Sequence, residues 1–149
     1  MNTKKSFFLL LIAAAIAGLA SCTSGQVRND FFAAVNSGNL DEIKAIAEGH
    51  PGVKNAYLND GWTALTVAAR EGNVRAVNLL IEEGVDVNKQ EGGGNSALFW
   101  AVYYGHEEVV SALLRHGARV DNKCDKCQDP IGVAREKKYT KILELLEGK

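Results

Sequence analysis

Residues 59–88 read NDGWTALTVAAREGNVRAVNLLIEEGVDVN, and residues 92–121 read GGGNSALFWAVYYGHEEVVSALLRHGARVD. The two stretches match in register at a step of 33 residues, and the same step takes Leu65 to Leu98 and then to Ile131. A fixed period of this size is typical of stacked supersecondary units, each of which is too small to bury its own apolar face. The period therefore predicts a repeat architecture and favours binding over catalysis.

Each unit carries the signals of two short helices. Thr63, Ser96 and Asp129 stand where a first helix needs an N-cap, and Pro130 follows at a position where its missing N–H costs nothing. The glycines that end the first helices are Gly38, Gly72 and Gly105. The second helices carry apolar stripes, at Leu40, Ile43, Ile46 and Ala47; Val74, Val77, Leu80 and Ile81; Val109, Val110, Leu113 and Leu114; and Ile142, Leu143 and Leu146. Stacking these stripes predicts one continuous core.

The second unit combines four features: a Gly-x-Thr-x-Leu opening at Gly61, an Ala-Ala pair at Ala68, the helix-ending Gly72 and a Gly-x-x-Val-Asn exit at Gly84. This combination resembles the ankyrin repeat, and the resemblance covers nearly all of the chain beyond its N-terminal segment. It implies an all-α ankyrin-repeat solenoid of helix-turn-helix units with finger loops. The expected domain has about four units, of which the first and last are degenerate, at residues 29–58, 59–91, 92–123 and 124–149.

The sequence departs from the family pattern in two places. The usual Thr-Pro-Leu-His reads TALT at 63–66, SALF at 96–99 and DPIG at 129–132, so the histidine that ties neighbouring turns together is missing. We expect part of that hydrogen-bond network to be replaced or lost, and the stability to be modest. The first unit is also one residue longer around 50–52, so its loop should deviate from the others.

The resemblance also implies where a partner would bind. Ankyrin proteins generally bind proteins on a concave face, through positions just before the opening threonine and just before the helix-ending glycine. Transferred to this chain, the predicted protein-binding residues are Asn36, Ser37, Asn59, Asp60, Trp62, Arg70, Glu71, Asn95, Tyr103 and Tyr104, with Gln128, Glu136 and Lys137 in the last unit. Trp, Tyr and Arg dominate interface hot spots. At least one of two adjacent tyrosines on a helix should be exposed, whereas Trp100 is interpreted as core.

The N-terminus has the pattern of an export signal. Lys4 and Lys5 precede an apolar run over 7–20, which is shorter than the roughly 20 residues a spanning helix needs. The run ends in Leu-Ala-Ser-Cys at 19–22, which resembles a bacterial lipobox. That resemblance implies a signal peptide over residues 1–21 and a lipidated Cys22. The alternative is an ordinary signal peptide, which would leave a spare exported thiol open to oxidation.

The predicted location follows from this segment. A lipidated tether over residues 22–28 would hold the domain in the bacterial cell envelope, facing the periplasm. Thr23 stands where an aspartate often marks inner-membrane retention, which favours the outer membrane. Cleavage would leave 15 basic and 18 acidic residues without a basic block, which argues against nucleic-acid binding. We expect a monomer with no cofactor and a partner protein in the envelope.

The remaining cysteines form a Cys-x-x-Cys pair, Cys124 and Cys127. One repeat earlier these positions are Glu91 and Gly94, the ends of a finger turn, and the ends of a β-turn are close enough for a disulfide. A structural disulfide is the favoured interpretation. A redox role, or a reduced or metal-bound pair, stays open, although the next helix begins only at about Pro130 and cannot activate the first thiol.

Motifs for catalysis are incomplete. His106-Glu107-Glu108 begins like a zinc-protease motif, but Val110 replaces its second histidine. The glycines at 92–94 lack the Lys-Ser/Thr of a phosphate loop. We therefore expect no enzyme. The leading hypothesis is a lipid-anchored module that binds a protein as scaffold or inhibitor, the alternative is a periplasmic dithiol redox protein, and a third possibility is a purely structural envelope protein.

Overall fold

The computed structural model describes residues 24–121 and 129–148. Within these ranges the chain forms eight α-helices arranged as four pairs, together with one 3₁₀ helix at Val53–Asn55. The helices are α1 (Ser24–Ser37), α2 (Leu40–Gly49), α3 (Ala64–Arg70), α4 (Val74–Glu82), α5 (Ala97–Tyr104), α6 (Glu107–Arg115), α7 (Pro130–Glu136) and α8 (Thr140–Glu147).

The helices form two layers with one core between them. The first helices of the units, α1, α3, α5 and α7, pack in sequence along one layer, and the second helices, α2, α4, α6 and α8, pack along the other. The side chains that fill the core come from every unit, and the largest fully buried ones are Phe31, Ile43, Leu65, Leu80, Leu98, Leu113 and Ile142. The predicted all-α repeat solenoid is confirmed.

The predicted N-caps are confirmed. The side chains of Thr63, Ser96 and Asp129 each accept a hydrogen bond from a backbone N–H two or three residues later, and Pro130 is the first residue of α7. These bonds satisfy amide groups that have no partner within the helix itself. The short first helices therefore begin at residues that the local sequence determines.

The structure shows what replaces the missing histidine. In the second unit the Thr66 hydroxyl accepts a hydrogen bond from the Thr63 N–H at 3.0 Å and donates one to the Thr63 carbonyl at 2.8 Å. Phe99 occupies the equivalent position of the third unit and is buried in the core. The polar network is thus replaced within the second unit and gives way to apolar packing in the third.

The first helix begins at Ser24, five residues before the predicted start of the domain at Asn29. Val27 is buried in the core, one helical turn before Phe31, so it extends the apolar stripe of α1. The prediction of a tether that extends to residue 28 was wrong in this respect, because residues 24–28 belong to the helix. The expected deviation of the first loop is confirmed by the 3₁₀ turn at Val53–Asn55.

Glycines at the ends of the first helices leave room for the next unit. Gly72 has a φ of +72°, and a Cβ added there would lie 2.7 Å from the ring of His106, which precedes α6. Gly38 is placed in the same way against Asn73, and Gly105 against Tyr139. The glycine therefore serves both the turn within its own unit and the contact with the next.

The last described unit carries polar residues where the others are apolar. Lys138 takes the position of the helix-ending glycine and has a φ of +59°. Arg135 and Glu147 stand one repeat after the buried Val102 and Leu114, and they form an exposed ion pair at 3.3 Å. These substitutions place charged groups at the solvent-facing end of the described stack.

Candidate functional site: an aromatic surface across the second and third units

Five side chains lie in contact one after another in a row, which we call the aromatic row. The Arg70 guanidinium lies 4.8 Å above the Trp62 ring, and the Trp62 and Trp100 ring centroids are 4.7 Å apart. Tyr104 follows at 6.2 Å from Trp100, and His106 follows at 6.3 Å from Tyr104, with ring planes that are 24° and 21° from parallel. The row therefore crosses from the second unit into the third.

The row closes on itself through a hydrogen bond. His106 Nε2 lies 2.9 Å from the carbonyl oxygen of Arg70, and because a carbonyl can only accept, the histidine nitrogen is the donor. Arg70 thus covers Trp62 with its side chain and holds His106 with its backbone. This arrangement sets the orientation of the rings before a ligand binds, which reduces the entropy that binding must remove.

Two tyrosines make the row accessible. Tyr104 is 49% exposed and Tyr103 is 36% exposed, so the expectation that at least one of them faces solvent is confirmed for both. The Tyr103 ring lies 5.2 Å from that of Tyr104, and the ammonium of Lys137 lies 4.2 Å from the Tyr103 ring centroid. The aromatic row together with Tyr103 and Lys137 forms one patch across three units, which we call the aromatic surface.

The finger loops that precede α3 and α5 are held by hydrogen bonds within each loop. Trp62 closes the second finger, where its carbonyl accepts a hydrogen bond from the Leu58 N–H at 2.9 Å. In the third finger the buried carboxylate of Glu91 accepts hydrogen bonds from the Gly93 N–H and from both the N–H and the side-chain amide of Asn95. Because these polar groups are satisfied within each finger, the loops do not depend on a ligand for their shape.

The structure brings some of the predicted binding residues together and leaves others apart. Trp62, Arg70, Tyr103 and Tyr104 belong to the aromatic surface, and Glu71 adjoins it through a 2.8 Å ion pair with Arg70.

The remaining predicted positions lie outside the ring contacts. Asn36 and Ser37 are exposed at the end of α1, and Asp60 is exposed on the second finger. Asn59 accepts a hydrogen bond from the Arg28 guanidinium at 3.0 Å, and Asn95 is engaged in the third finger. Glu136 is exposed in the last unit beside Lys137, whereas Gln128 lies outside the described residues.

Two members of the row were missed by the interpretation of the sequence. Trp100, which was assigned to the core, is only half-buried and lies at the centre of the row. Its position four residues before Tyr104 is a signal that could have placed both rings on one helix face. The sequence analysis considered His106 as part of an incomplete zinc-protease motif and did not predict it as a binding residue. Its contact with Arg70, 36 residues earlier, has no signal in the local sequence.

Three predicted sites lie outside the described residues: the lipidated Cys22 and the pair Cys124 and Cys127. The equivalent positions of the third finger, Glu91 and Gly94, do close a β-turn, with a hydrogen bond of 2.8 Å from the Gly94 N–H to the Glu91 carbonyl. In residues 24–121 and 129–148 there is no cluster of three or more His, Cys, Asp or Glu side chains that could hold a metal ion. None of the helices in that part of the chain is long and apolar enough to cross a membrane.

Comparison with known proteins identifies the architecture. The family model described as "Ankyrin repeats (3 copies)" matches residues 31–146. The chain belongs to the ankyrin-repeat family. Proteins of this family are generally non-enzymatic scaffolds for protein–protein interaction, so the repeats mark this chain as an interaction module.

Several known proteins are similar to this repeat region, and the match covers very different shares of their lengths. Rat "Ankyrin repeat and SAM domain-containing protein 6" is 42% identical over 94 residues, which are 62% of this chain and 11% of that protein. "Probable E3 ubiquitin-protein ligase XBOS34" of Oryza sativa subsp. japonica is 34% identical over 119 residues, 77% of this chain and 23% of the ligase. Human "Notch-regulated ankyrin repeat-containing protein" is 31% identical over 101 residues, 66% of this chain and 89% of that protein. The ankyrin-repeat chain thus spans about a tenth of the first relative and under a quarter of the second.

Proposed function

We propose that this ankyrin-repeat chain binds a protein partner through the aromatic surface and acts on it as a scaffold or an inhibitor. The observation that carries the proposal is the pair of exposed tyrosines, of which Tyr104 stacks on Trp100 and Tyr103 meets the Tyr104 ring edge-on. Large aromatic side chains contribute most when they are rigid before binding and lose their exposure on binding. Here the stacking against Trp100 supplies the rigidity.

A positively charged side chain lies at each end of the aromatic surface. Arg70 lies over Trp62 and pairs with Glu71, whereas Lys137 lies over Tyr103 at the other end. Cations placed on ring faces orient the rings and remain able to donate hydrogen bonds at their edges. A partner would therefore meet an apolar centre flanked by charged groups, the usual organisation of a protein interface.

The test is crosslinked affinity capture with matched tyrosine variants. Wild type is compared with Tyr104→Ala, Tyr103→Ala and the control Tyr57→Ala, all of which are checked for folding by circular dichroism. Tyr57 is a suitable control because it is 45% exposed and also has a lysine over its ring, but it lies outside the aromatic surface. Loss of one partner from the Tyr103 and Tyr104 variants but not from the Tyr57 variant would support the proposal. Equal capture by all four proteins would refute it.

We also propose that the chain is held in a bacterial envelope through a lipid on Cys22. The support is the lipobox-like ending at 19–22, and only Thr23 separates Cys22 from the first residue of α1. So short a connection would keep the binding surface close to the membrane. Intact-mass spectrometry of the membrane fraction tests this, because Cys22→Ser should remove the acyl mass and release the protein. An unmodified Cys22 in the exported protein would contradict the proposal.

A further inference from the structure

A buried polar atom at the centre of the aromatic surface has no hydrogen-bond partner. In the part of the chain that the structure describes, two buried side-chain nitrogens lack an acceptor, namely Nε of Arg28 and Nε1 of Trp100. The Arg28 guanidinium still donates to Asn59 through another of its nitrogens, whereas the Trp100 indole has a single N–H. The polar group of the Trp100 side chain is therefore both buried and unpaired, a situation that native structures generally avoid.

The surroundings of the Trp100 indole are aromatic. Four rings lie around it, with centroids at 4.7 Å for Trp62, 5.2 Å for Phe99, 5.9 Å for Tyr103 and 6.2 Å for Tyr104. None of these side chains accepts a hydrogen bond from the indole N–H. An unpaired donor in such a place costs free energy, and an acceptor that reaches it recovers that cost.

We propose, building on the proposed function, that Trp100 fixes the position of the partner by donating its indole N–H to a carbonyl oxygen of the bound segment. Because this N–H is already out of contact with water in the free chain, the new bond is not offset by the loss of a bond from the indole to water. The acceptor is a neutral carbonyl, since moving a carboxylate from water to a site walled by rings costs much more free energy.

The route to the indole N–H runs past Tyr103. Tyr104 lies against the face of Trp100, with ring planes 24° from parallel, whereas Tyr103 meets Trp100 at 68° and is 36% exposed. Rotation of the Tyr103 side chain therefore opens the edge of the indole and leaves Tyr104 stacked on its face. Exposed side chains change rotamer within nanoseconds, so this step does not limit binding.

The test removes the indole N–H and keeps the shape of the ring. Replacing Trp100 by β-(3-benzothienyl)alanine exchanges the N–H for sulfur. The same replacement at Trp62 is the matched control, because the Trp62 N–H is not one of the buried, unpaired atoms. A phage library of random peptides is panned against the wild-type chain, and the selected peptides are titrated into all three proteins by calorimetry. Urea unfolding of each protein is measured without peptide.

We expect the Trp100 variant to be at least as stable as wild type, since it loses only an unpaired donor, and to bind the peptides roughly fivefold to tenfold more weakly. The Trp62 variant should bind them with nearly unchanged affinity. Peptides whose Asp and Glu residues are replaced by Asn and Gln should keep their dependence on Trp100. Loss of that dependence would contradict the assignment of a neutral carbonyl.

Equal binding by wild type and the Trp100 variant overturns the inference, and so does the recovery of no peptide. An equal loss of affinity in the Trp62 variant, or a destabilised Trp100 variant, also overturns it, because the ring exchange itself or a bond within the free chain would then be responsible. If the Trp100 replacement has no effect but Tyr104→Ala abolishes binding, the inference fails while the proposed function stands. If binding is independent of Tyr103 and Tyr104 as well, both fail.

Discussion

Replacing Gly72 by alanine separates the two roles that this glycine has in the stack. Gly72 has a left-handed backbone, and an added Cβ would meet the His106 ring at 2.7 Å. Gly84 provides a matched control because its φ is also left-handed, at +84°, while a Cβ there would meet no atom within 4 Å. The two variants therefore carry a similar backbone cost, and only one of them disturbs the contact between units.

The expected loss of unfolding free energy in each variant follows from what surrounds the glycine. An L-residue in the left-handed region costs about 1–2 kcal/mol, so we expect Gly84→Ala to lower the free energy of unfolding by that amount. In Gly72→Ala the ring of His106 must also move, which strains the packing by about 1–3 kcal/mol and breaks its hydrogen bond to Arg70. We expect a total loss of about 3 kcal/mol for Gly72→Ala, a large share of the stability of a small domain.

Urea unfolding followed by circular dichroism measures both losses. A double-mutant cycle with His106→Ala identifies their origin, since removal of the ring should reduce the cost of Gly72→Ala to that of Gly84→Ala. Equal losses in the two single variants would refute the reasoning. So would a cost of Gly72→Ala that stays unchanged when His106 is absent.

Three further substitutions test the local structure. Lys138→Gly should raise the free energy of unfolding by about 1 kcal/mol in urea titrations, because Lys138 has a φ of +59° that glycine adopts without strain; Lys138→Ala should give no such gain. Asn73→Ala should lower the thermal midpoint through a loss of about 1 kcal/mol, since the Asn73 side chain caps α4 at 3.0 Å, and an unchanged midpoint would contradict that cap. Glu91→Ala should cost about 2 kcal/mol and speed hydrogen exchange at the Asn95 amide, which the Glu91 carboxylate binds at 3.1 Å; exchange at the wild-type rate would show that another group holds the finger.

The local sequence was sufficient for the elements of the fold. Caps such as Thr63 and Asp129 act within one helical turn, and the buried Val77 and Leu113 recur at a helical period, so both signals can be detected without knowledge of tertiary contacts. The predicted start of the first unit at Asn29 was too late, because Val27 lies before the part of the chain that repeats. Its burial depends on the core that α1 meets in space.

The aromatic surface could be predicted only in part. The adjacency of Tyr103 and Tyr104 on one helix correctly predicted that at least one of them is exposed, and in the structure both are. Trp100, on the same helix, was assigned to the core. Its actual half-buried position depends on Trp62, which approaches from the finger of the preceding unit.

The sequence by itself determined the repeat, the helices and the apolar stripes, because each of these rests on interactions between residues a few positions apart. The tertiary structure alone decided which side chains cross between units: the ring of His106 beneath Gly72, its bond to the Arg70 carbonyl and the contact between the Trp62 and Trp100 rings. The physical reason is that a period identifies equivalent positions in successive units. It carries no information on how the side chains of one unit meet those of the next, and that packing forms the surface proposed to bind a partner.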